Sequence, residues 1–190
     1  MRHVSPHLKK RHKLTFYLAA IRPVMLYLSP IWSSRSKELP ERVLRMQKRA
    51  ARIILDAERT TRTLTMFNEL NRILFFIEAY INRCSIAFWR LEGTTPDYIN
   101  SILKTNSEIH NRSTRFANLN FHCPVFKKNT EGGRTFSVRS IRNWNELSFD
   151  VKKVINVKSF KKKLYTNLIS KQRETYNFEY LLLINSFKWF

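Results

Sequence analysis

The sequence predicts a mainly α-helical fold, a helical bundle with one short β-hairpin or strand between residues 116 and 135. Apolar residues recur at intervals of three and four in several long segments, which is the period of one face of an α-helix. Only three glycines and six prolines interrupt the 190 residues. Hydrophobic residues make up 43% of the chain and aromatic residues 13%, a composition that can bury a core.

The charge of the chain restricts the class of its partners. Lysine and arginine together number 35 against 14 acidic residues, which gives a net charge of +21. Self-repulsion on this scale is unfavourable unless an anionic partner neutralises it, so nucleic acid or an anionic membrane surface is indicated. Because Arg22 interrupts the apolar run near the N-terminus, well short of the ~20 residues of a membrane span, we expect RNA or DNA and no membrane.

Changes in composition divide the chain into four segments. Residues 1–13 form a basic segment that we expect to be disordered, and residues 14–92 form a helical region. The pattern changes after Gly93, and residues 93–170 are expected to form helices joined by loops. Residues 171–190 form an aromatic-rich tail to which the pattern assigns no structure.

The helical region is predicted to begin with Leu14–Leu28, a buried helix that is kinked or restarted at Pro23, because proline removes a backbone hydrogen bond. No acidic residue occurs in the first 37 positions. A basic start without acids is also typical of a mitochondrial presequence. A mitochondrial nucleic-acid-binding protein is therefore an alternative.

The stretch from Glu41 to Ala57 is the segment with the clearest separation of apolar and basic side chains. At about 100° per residue the two sets fall on opposite faces of a helix. One face suits a core and the other suits phosphates, although a merely solvated charged face is the competing interpretation. The apolar face comprises Val43, Met46, Ala50 and Ile54, and the basic face comprises Arg42, Arg45, Lys48, Arg49 and Arg52.

Phe67–Leu91 is predicted to be one long amphipathic helix, because it contains neither proline nor glycine and Gly93 follows its end. We expect Trp89 to lie in the core together with Trp32 and Trp144. The alternative is that an exposed Trp89 or Trp189 stacks on bases. The buried face is predicted to comprise Leu70, Ile73, Leu74, Ile77, Ile81, Cys84 and Phe88.

Shorter elements are predicted in the second half. Tyr98–Leu103 is expected to be a short helix, and Gly132 begins a tight turn before a helix in residues 134–147. The last helix is expected at Val157–Ile169, with its lysines directed outward as a second group that could bind phosphates. The strand prediction rests on the alternation of Leu119, Phe121, Cys123 and Val125, and the outward lysines are Lys161, Lys162 and Lys163.

The sequence offers no pattern for catalysis or for metal binding. Cys84 and Cys123 match no zinc spacing, and the five histidines form no motif such as His-Glu-x-x-His. The three aspartates, Asp56, Asp97 and Asp150, lie too far apart in sequence to suggest a carboxylate pair that holds two metal ions. We therefore expect no cofactor, no metal and no catalytic residues.

Six short motifs occur in a recognisable order. Together they resemble the region that follows the polymerase in LINE-type, non-LTR retrotransposon reverse transcriptases of the jockey-like group, over about residues 21–168. The motifs are Arg22–Trp32 (RPVMLYLSPIW), Gln47–Ile54 (QKRAARII), Thr95–Ile99 (TPDYI), Asn111–Arg115 (NRSTR), Phe136 with Trp144–Leu147 (WNEL), and Val157–Leu164 (VKSFKKKL).

The resemblance implies a thumb-like helical region at Leu14–Ala57 that packs against a template–primer duplex, followed by a C-terminal extension. The polymerase signature of the family, Tyr-Ala-Asp-Asp or similar, does not occur in the chain, and the endonuclease is missing as well. We therefore expect a non-catalytic, nuclear, nucleic-acid-binding remnant of an RNA-directed DNA polymerase. The alternative is a chain that acts in such a polymerase with the catalytic palm supplied elsewhere.

Overall fold

The computed structural model describes residues 7–34, 38–110, 117–126 and 132–174, and it confirms the prediction of a mainly α-helical fold. A π-helical turn at Tyr17–Ile21 lies between the first two helices. The helices are α1 (Lys10–Phe16), α2 (Arg22–Leu26), α3 (Ser29–Trp32), α4 (Glu38–Leu55), α5 (Thr63–Glu69), α6 (Phe75–Leu91), α7 (Asp97–Ile102), α8 (Asn106–Ile109), α9 (Phe136–Asn145), α10 (Phe149–Lys152) and α11 (Val157–Glu174).

The chain divides into two compact units. Unit 1 consists of Met1–Ala79 with Asn167–Phe190, and unit 2 consists of Tyr80–Thr166. The limits of the units fall within α6 and α11, so each of these helices contributes residues to both units.

The N-terminal helices differ from their prediction in two ways. Helix α1 begins at Lys10, so the last residues of the segment expected to be disordered are helical. The Nζ atom of Lys13 lies 2.7 and 2.8 Å from the two carboxylate oxygens of Asp56, and Lys10 lies 2.6 Å from Glu69. These ion pairs connect α1 to other parts of unit 1. Because the partners are distant in sequence, the local sequence does not reveal that they stabilise α1. Residues 1–6 lie outside the described part.

The helical run from Lys10 to Leu26 is also less buried than predicted. Only Lys13, Tyr17 and Met25 are buried within it, while Phe16 and Val24 are exposed. The predicted distortion at Pro23 is present as a π-helical turn, in which the N–H of Arg22 donates to the carbonyl of Tyr17. A widened turn accommodates the proline ring, which would otherwise clash with the carbonyl four residues earlier.

Helix α4 begins at Glu38, three residues before its predicted start, and ends at Leu55. Its buried face is rotated relative to the prediction. Val43 is half-buried and Met46 is 53% exposed, whereas Ala50 and Ile54 are buried as expected. The remaining buried side chains of the helix are Pro40, Leu44, Gln47 and Ala51.

The single helix predicted at Phe67–Leu91 is wrong, because α5 ends at Glu69 and α6 begins at Phe75. Asn71 has φ = 52°, the left-handed conformation that often terminates helices. The N–H of Arg72 donates to the Phe67 carbonyl at 2.9 Å, and the N–H of Asn71 donates to Asn68 at 3.0 Å. This pair of bonds is the Schellman ending, with asparagine in the position that glycine usually occupies.

The burial predicted for that segment is nevertheless confirmed. The seven apolar positions are all buried, although they are divided between the corner after α5 and helix α6. The core therefore depends on the spacing of apolar residues even where the backbone departs from a continuous helix.

Two buried glutamines hold the corner between α5 and α6 (residues 70–74). Gln47 of α4 accepts from the N–H of Phe75 at 2.8 Å and donates to the Ile73 carbonyl at 3.3 Å. Gln172 of α11 accepts from the N–H of Leu74 at 3.1 Å and donates to the Arg72 carbonyl at 2.9 Å. These contacts satisfy two N–H groups at the start of α6, where the first N–H groups of a helix have no partner within the helix itself.

Unit 2 is built around Trp144 of α9, which is fully buried as predicted. Its ring lies edge-on to Phe88 and Phe121 and tilted on Phe160, with centroid distances of 6.4, 6.2 and 5.7 Å. The indole N–H donates to the Leu119 carbonyl at 2.7 Å. The tryptophan therefore joins helices α6, α9 and α11 to the loop of residues 117–126.

That loop is not the strand predicted between residues 116 and 135. Thr105 and Phe121 form one isolated antiparallel bridge, and the described residues 117–126 and 132–135 contain no strand. The Asn145 side chain bonds the N–H and carbonyl of Phe121 at 3.0 and 2.8 Å, so a side chain takes the place of a partner strand. Val125 is 98% exposed, in conflict with the alternating pattern.

The shorter helices agree with their predictions. Helix α7 lies within one residue of its predicted limits, and a turn is present at Gly132, whose carbonyl accepts from the N–H of Thr135 at 3.2 Å. Helix α9 covers most of its predicted range. Helix α11 continues to Glu174, and its predicted inward residues Phe160, Leu164 and Leu168 are buried.

Replacing Gln172 by leucine tests the role of the corner. Leu74 N–H and the Arg72 carbonyl would lose their partner in a buried site, and each such group costs about 1–3 kcal/mol. We expect unfolding by urea to show a loss of at least about 2 kcal/mol. Ser170→Leu, at an exposed position of the same helix, is the matched control. Equal stability of Gln172→Leu and the control would contradict the proposed role.

Glu78 provides a pH-dependent test of unit 1. Burial raises the pKa of this carboxyl above its ordinary value, while Arg22, whose Nε lies 3.0 Å from Glu78 Oε1, opposes the shift. The folded state therefore binds the proton more tightly than the unfolded state, so the associated stabilisation is present at low pH and is lost as pH rises through the folded pKa.

We expect the stability of the wild type relative to Glu78→Gln to fall as the pH rises from about 4 to 8. Urea unfolding at a series of pH values measures this difference directly. Glu92→Gln removes a carboxylate from an exposed position and is the control. A stability difference that stayed constant or increased over this range would contradict the pKa shift of Glu78.

Candidate nucleic-acid interface

Helix α4 presents three exposed arginines on one face, Arg42, Arg45 and Arg49, which we call the α4 arginine stripe. The nearest carboxylate is that of Glu38, 3.8 Å from Arg42, and both side chains of this pair are more than half exposed. Such an exposed ion pair contributes little to the stability of the fold. Within the described part of the chain, Arg45 and Arg49 make neither an ion pair nor a side-chain hydrogen bond.

Lys48 and Arg52, the other two predicted basic residues of α4, lie at the edge of the core rather than on the stripe. Both are half-buried. Burial lowers the pKa of Lys48, and the positive charge of Arg52 lowers it further. The Nε atom of Arg52 is buried without a hydrogen-bond partner in the described structure. Of the five basic residues predicted on this face of α4, the fold therefore leaves only the three arginines of the stripe exposed.

The three lysines predicted on α11 have three different environments. Lys162 is exposed. Lys163 donates from Nζ to the carbonyl oxygen of Asp150 at 2.9 Å, which attaches α11 to α10. Lys161 is half-buried with Nζ 4.9 Å from the centre of the Trp89 ring, and burial lowers its pKa. The prediction that all three point outward is confirmed for Lys162 and Lys163, which are exposed, and is wrong for Lys161, which is half-buried.

Two residues near these lysines were not among the predicted site residues, although stacking of bases on an exposed Trp89 was the alternative to its burial. Trp89 was expected in the core, but the structure leaves it 37% exposed. Lys158 is exposed one turn before Lys162, so both lie on the outer face of α11. The spacing of Lys158 and Lys162 was visible in the sequence, whereas the contact between Lys161, which lies between them in sequence, and Trp89 depends on how α6 and α11 pack.

A third concentration of positive charge lies in unit 2 and was also missed. Burial lowers the pKa of Arg139 to about 10, and the charges of Arg134 and Arg142 lower it further. Arg83 is fully buried, which lowers its pKa to about 9, and its Nε lies 3.0 Å from the Asn143 side-chain oxygen in the favoured amide orientation. The sequence analysis considered only the apolar face of residues 134–147 and did not consider the arginines of that segment.

Residues suited to metal chemistry remain dispersed in the part of the chain that the structure covers. No group of three or more histidine, cysteine, aspartate or glutamate side chains comes together there. His110 and His122 form an edge-on pair with ring centres 5.5 Å apart, which would supply two ligands at most. Asp56, one of the three aspartates, is paired with Lys13.

The helices were also compared with the requirements of a membrane span. In residues 7–34, 38–110, 117–126 and 132–174, none of the helices has both the length and the apolar character to cross a bilayer.

Comparison with other proteins adds no assignment. No protein-family model matches the chain, and neither curated proteins nor solved structures gave a match.

The two cysteines should differ sharply in reactivity. Cys84 is buried on α6, and burial raises its pKa to about 12, whereas Cys123 is only half-buried. Because the thiolate is the reactive form, we expect a thiol reagent at neutral pH to modify Cys123 rapidly and Cys84 only after denaturation. Cys123→Ser should abolish the rapid phase. Rapid modification in that variant would contradict the burial of Cys84.

Proposed function

We propose that the chain binds RNA or DNA through contacts to phosphates, without strong preference for sequence. The observation that carries this proposal is the α4 arginine stripe, three exposed guanidinium groups on one helix face opposite a buried face. Arg42 and Arg49 are separated by about 10 Å along the axis at 1.5 Å per residue. A guanidinium group binds phosphate through paired hydrogen bonds, and such contacts position a nucleic acid without reading its bases.

The overall charge supports the same proposal. A net charge of +21 attracts any polyanion over distances of about a Debye length and makes nucleic acid a favourable partner. Lys158 and Lys162 on α11 supply further exposed cations in unit 2. Anionic lipid is the competing partner on grounds of charge alone, and the binding experiment below includes it.

The origin of the chain and its lack of catalysis are part of the proposal. The motifs described above support an origin in the region that follows the polymerase of a non-LTR retrotransposon reverse transcriptase, and hence a nuclear location. We propose no catalytic residue and no cofactor, because the carboxylate pair that phosphoryl transfer with two metal ions requires has no counterpart among Asp56, Asp97 and Asp150. An RNA-directed DNA polymerase that obtains its palm from another chain is the alternative.

The test is the salt dependence of binding. Arg42, Arg45 and Arg49 are replaced together by glutamine, which is nearly as good a helix former as arginine. Each phosphate contact releases condensed counterions, so the slope of log affinity against log salt should fall by up to about three in magnitude. The measurement is fluorescence anisotropy with a labelled duplex and a labelled single strand over a salt series, with circular dichroism of each variant.

The matched control replaces Arg11, Arg59 and Arg62 by glutamine. These arginines are exposed in unit 1 outside α4, so the control removes the same charge from other places. An equal fall in affinity for both triple variants would mean that only net charge matters, which contradicts a site on α4. Binding of the wild type to phosphatidylserine vesicles but to neither nucleic acid would overturn the proposal itself.

A further inference from the structure

Trp89 is a partly exposed aromatic residue at a well-defined position of α6. It lies in the last turn of α6, and 37% of its surface is exposed. Its carbonyl accepts hydrogen bonds from the N–H of Thr94 at 3.1 Å and from Thr94 Oγ1 at 3.2 Å. The backbone that carries the indole is therefore held in place while part of the residue remains exposed.

The packing of unit 2 places this ring beside α11. Phe88 stacks on Phe160 with ring centres 4.9 Å apart, and both phenylalanines are buried. The next residue on each helix is Trp89 on α6 and Lys161 on α11, so the core pair brings these two side chains together at the surface. The lysine Nζ lies over the indole at 4.9 Å from the ring centre.

Exposed cations continue from this contact along α11. Lys158 and Lys162 are four residues apart and exposed on the outer face of the helix. Lys158 lies three residues before Lys161 on α11 and Lys162 directly follows it, so we group these three lysines with Trp89 under the name Trp89 platform. Aromatic faces beside cationic side chains are the combination that binds unpaired bases and their phosphates.

We propose that the Trp89 platform binds single-stranded RNA or DNA, with an unpaired base stacked on the indole and its neighbouring phosphates held by Lys158 and Lys162. This inference rests on the proposed function and specifies the form of nucleic acid that unit 2 takes. The base occupies the indole face that Lys161 covers in the free protein, and the flexible lysine side chain turns to a phosphate. A duplex offers no such face along its length, because its bases are stacked on one another.

The experiment uses the full chain and three labelled probes: an oligouridine, an oligothymidine and a mixed-sequence duplex. Stacking contributes about 1–3 kcal/mol per base, so Trp89→Ala should weaken binding to single strands by roughly 5- to 150-fold. Its affinity for the duplex and the salt slope for every probe should remain unchanged. Comparison of the two single strands determines whether RNA or DNA is preferred.

Two further variants separate stacking from charge. Phe149→Ala is the matched aromatic control, since Phe149 is also 37% exposed with a lysine, Lys153, 4.2 Å over its ring. Phe149 adjoins Asp150, whose negative charge disfavours phosphate, so this variant should bind single strands as the wild type does.

The second variant combines Lys158→Gln with Lys162→Gln and removes two of the proposed phosphate contacts. It should lower the salt slope for single strands by up to about 1.4, at ~0.7 per contact.

Intrinsic fluorescence gives a readout that does not depend on the alanine variant folding. Binding of a single strand to the wild type should quench tryptophan emission, and Trp89→Phe should lose that quenching while keeping the fold by circular dichroism. Quenching that persists in Trp89→Phe, or equal losses in Trp89→Ala and Phe149→Ala, would overturn the inference. If the wild type binds no nucleic acid, the proposed function fails together with it.

Discussion

The corner between α5 and α6 depends on hydrogen bonds from two side chains that are distant in sequence. Gln47 and Gln172 are the only glutamines of the chain, and both are buried against this corner. Between them they occupy the N–H groups of Leu74 and Phe75 and the carbonyls of Arg72 and Ile73. Without these partners the start of α6 would leave buried polar groups unsatisfied. The free-energy cost of such groups is a large fraction of the stability of a domain.

The same contact determines which face of α4 meets solvent. Because Gln47 must point to the corner, the helix is fixed in rotation about its axis. At 100° per residue, Arg45 and Arg49 each lie about 160° away from Gln47, and Arg42 lies about 140° away. The exposure of the α4 arginine stripe is therefore a consequence of the buried amide on the opposite side of the helix, and stability and the proposed interface are linked through one residue.

The comparison of α4, α5 and α6 explains how far the sequence could predict the fold. All three helices are followed by a residue with positive φ: Asp56 at 50°, Asn71 at 52° and Gly93 at 70°. Only the glycine was recognised from the sequence, because it alone adopts this conformation without a steric penalty. Asparagine and aspartate occur in many other contexts, so the break at Asn71 could not be identified without the buried glutamines that hold it.

For the candidate surfaces as well, exposure that depends on spacing within one helix was predictable, whereas exposure that depends on packing against other elements was not. The exposed arginines of α4 were predictable from spacing within one helix, whereas the environments of Arg52, Lys161 and Lys163 depend on neighbouring elements. Trp89 is a different case, since a local signal was present and not used. It follows Phe88 by one residue, about 100° away from the face on which Ile81, Cys84 and Phe88 are buried. Apolar character alone was taken as burial, although the position predicted a surface.

Like charges remain close together in both units of the folded chain. Arg45 and Arg49 are four residues apart on one helix face, an arrangement that destabilises a helix by a few tenths of a kcal/mol. The pKa of Lys48 is lowered by burial and by Arg52, and that of Arg139 by burial and by Arg134 and Arg142, so each cation lies in an unfavourable positive field.

Because the pKa of Arg139 is lowered only to about 10, this arginine is protonated at neutral pH, and the repulsion between neighbouring cations persists in the free protein. A bound phosphate chain would reduce it in both units, and any ligand that binds the folded state alone adds its binding free energy to stability. The features that make the free protein electrostatically unfavourable are thus the ones that favour a polyanionic partner. A role for Arg45 and Arg49 in structural ion pairs would instead require carboxylates beside them, and these two arginines have none within salt-bridge distance among the described residues.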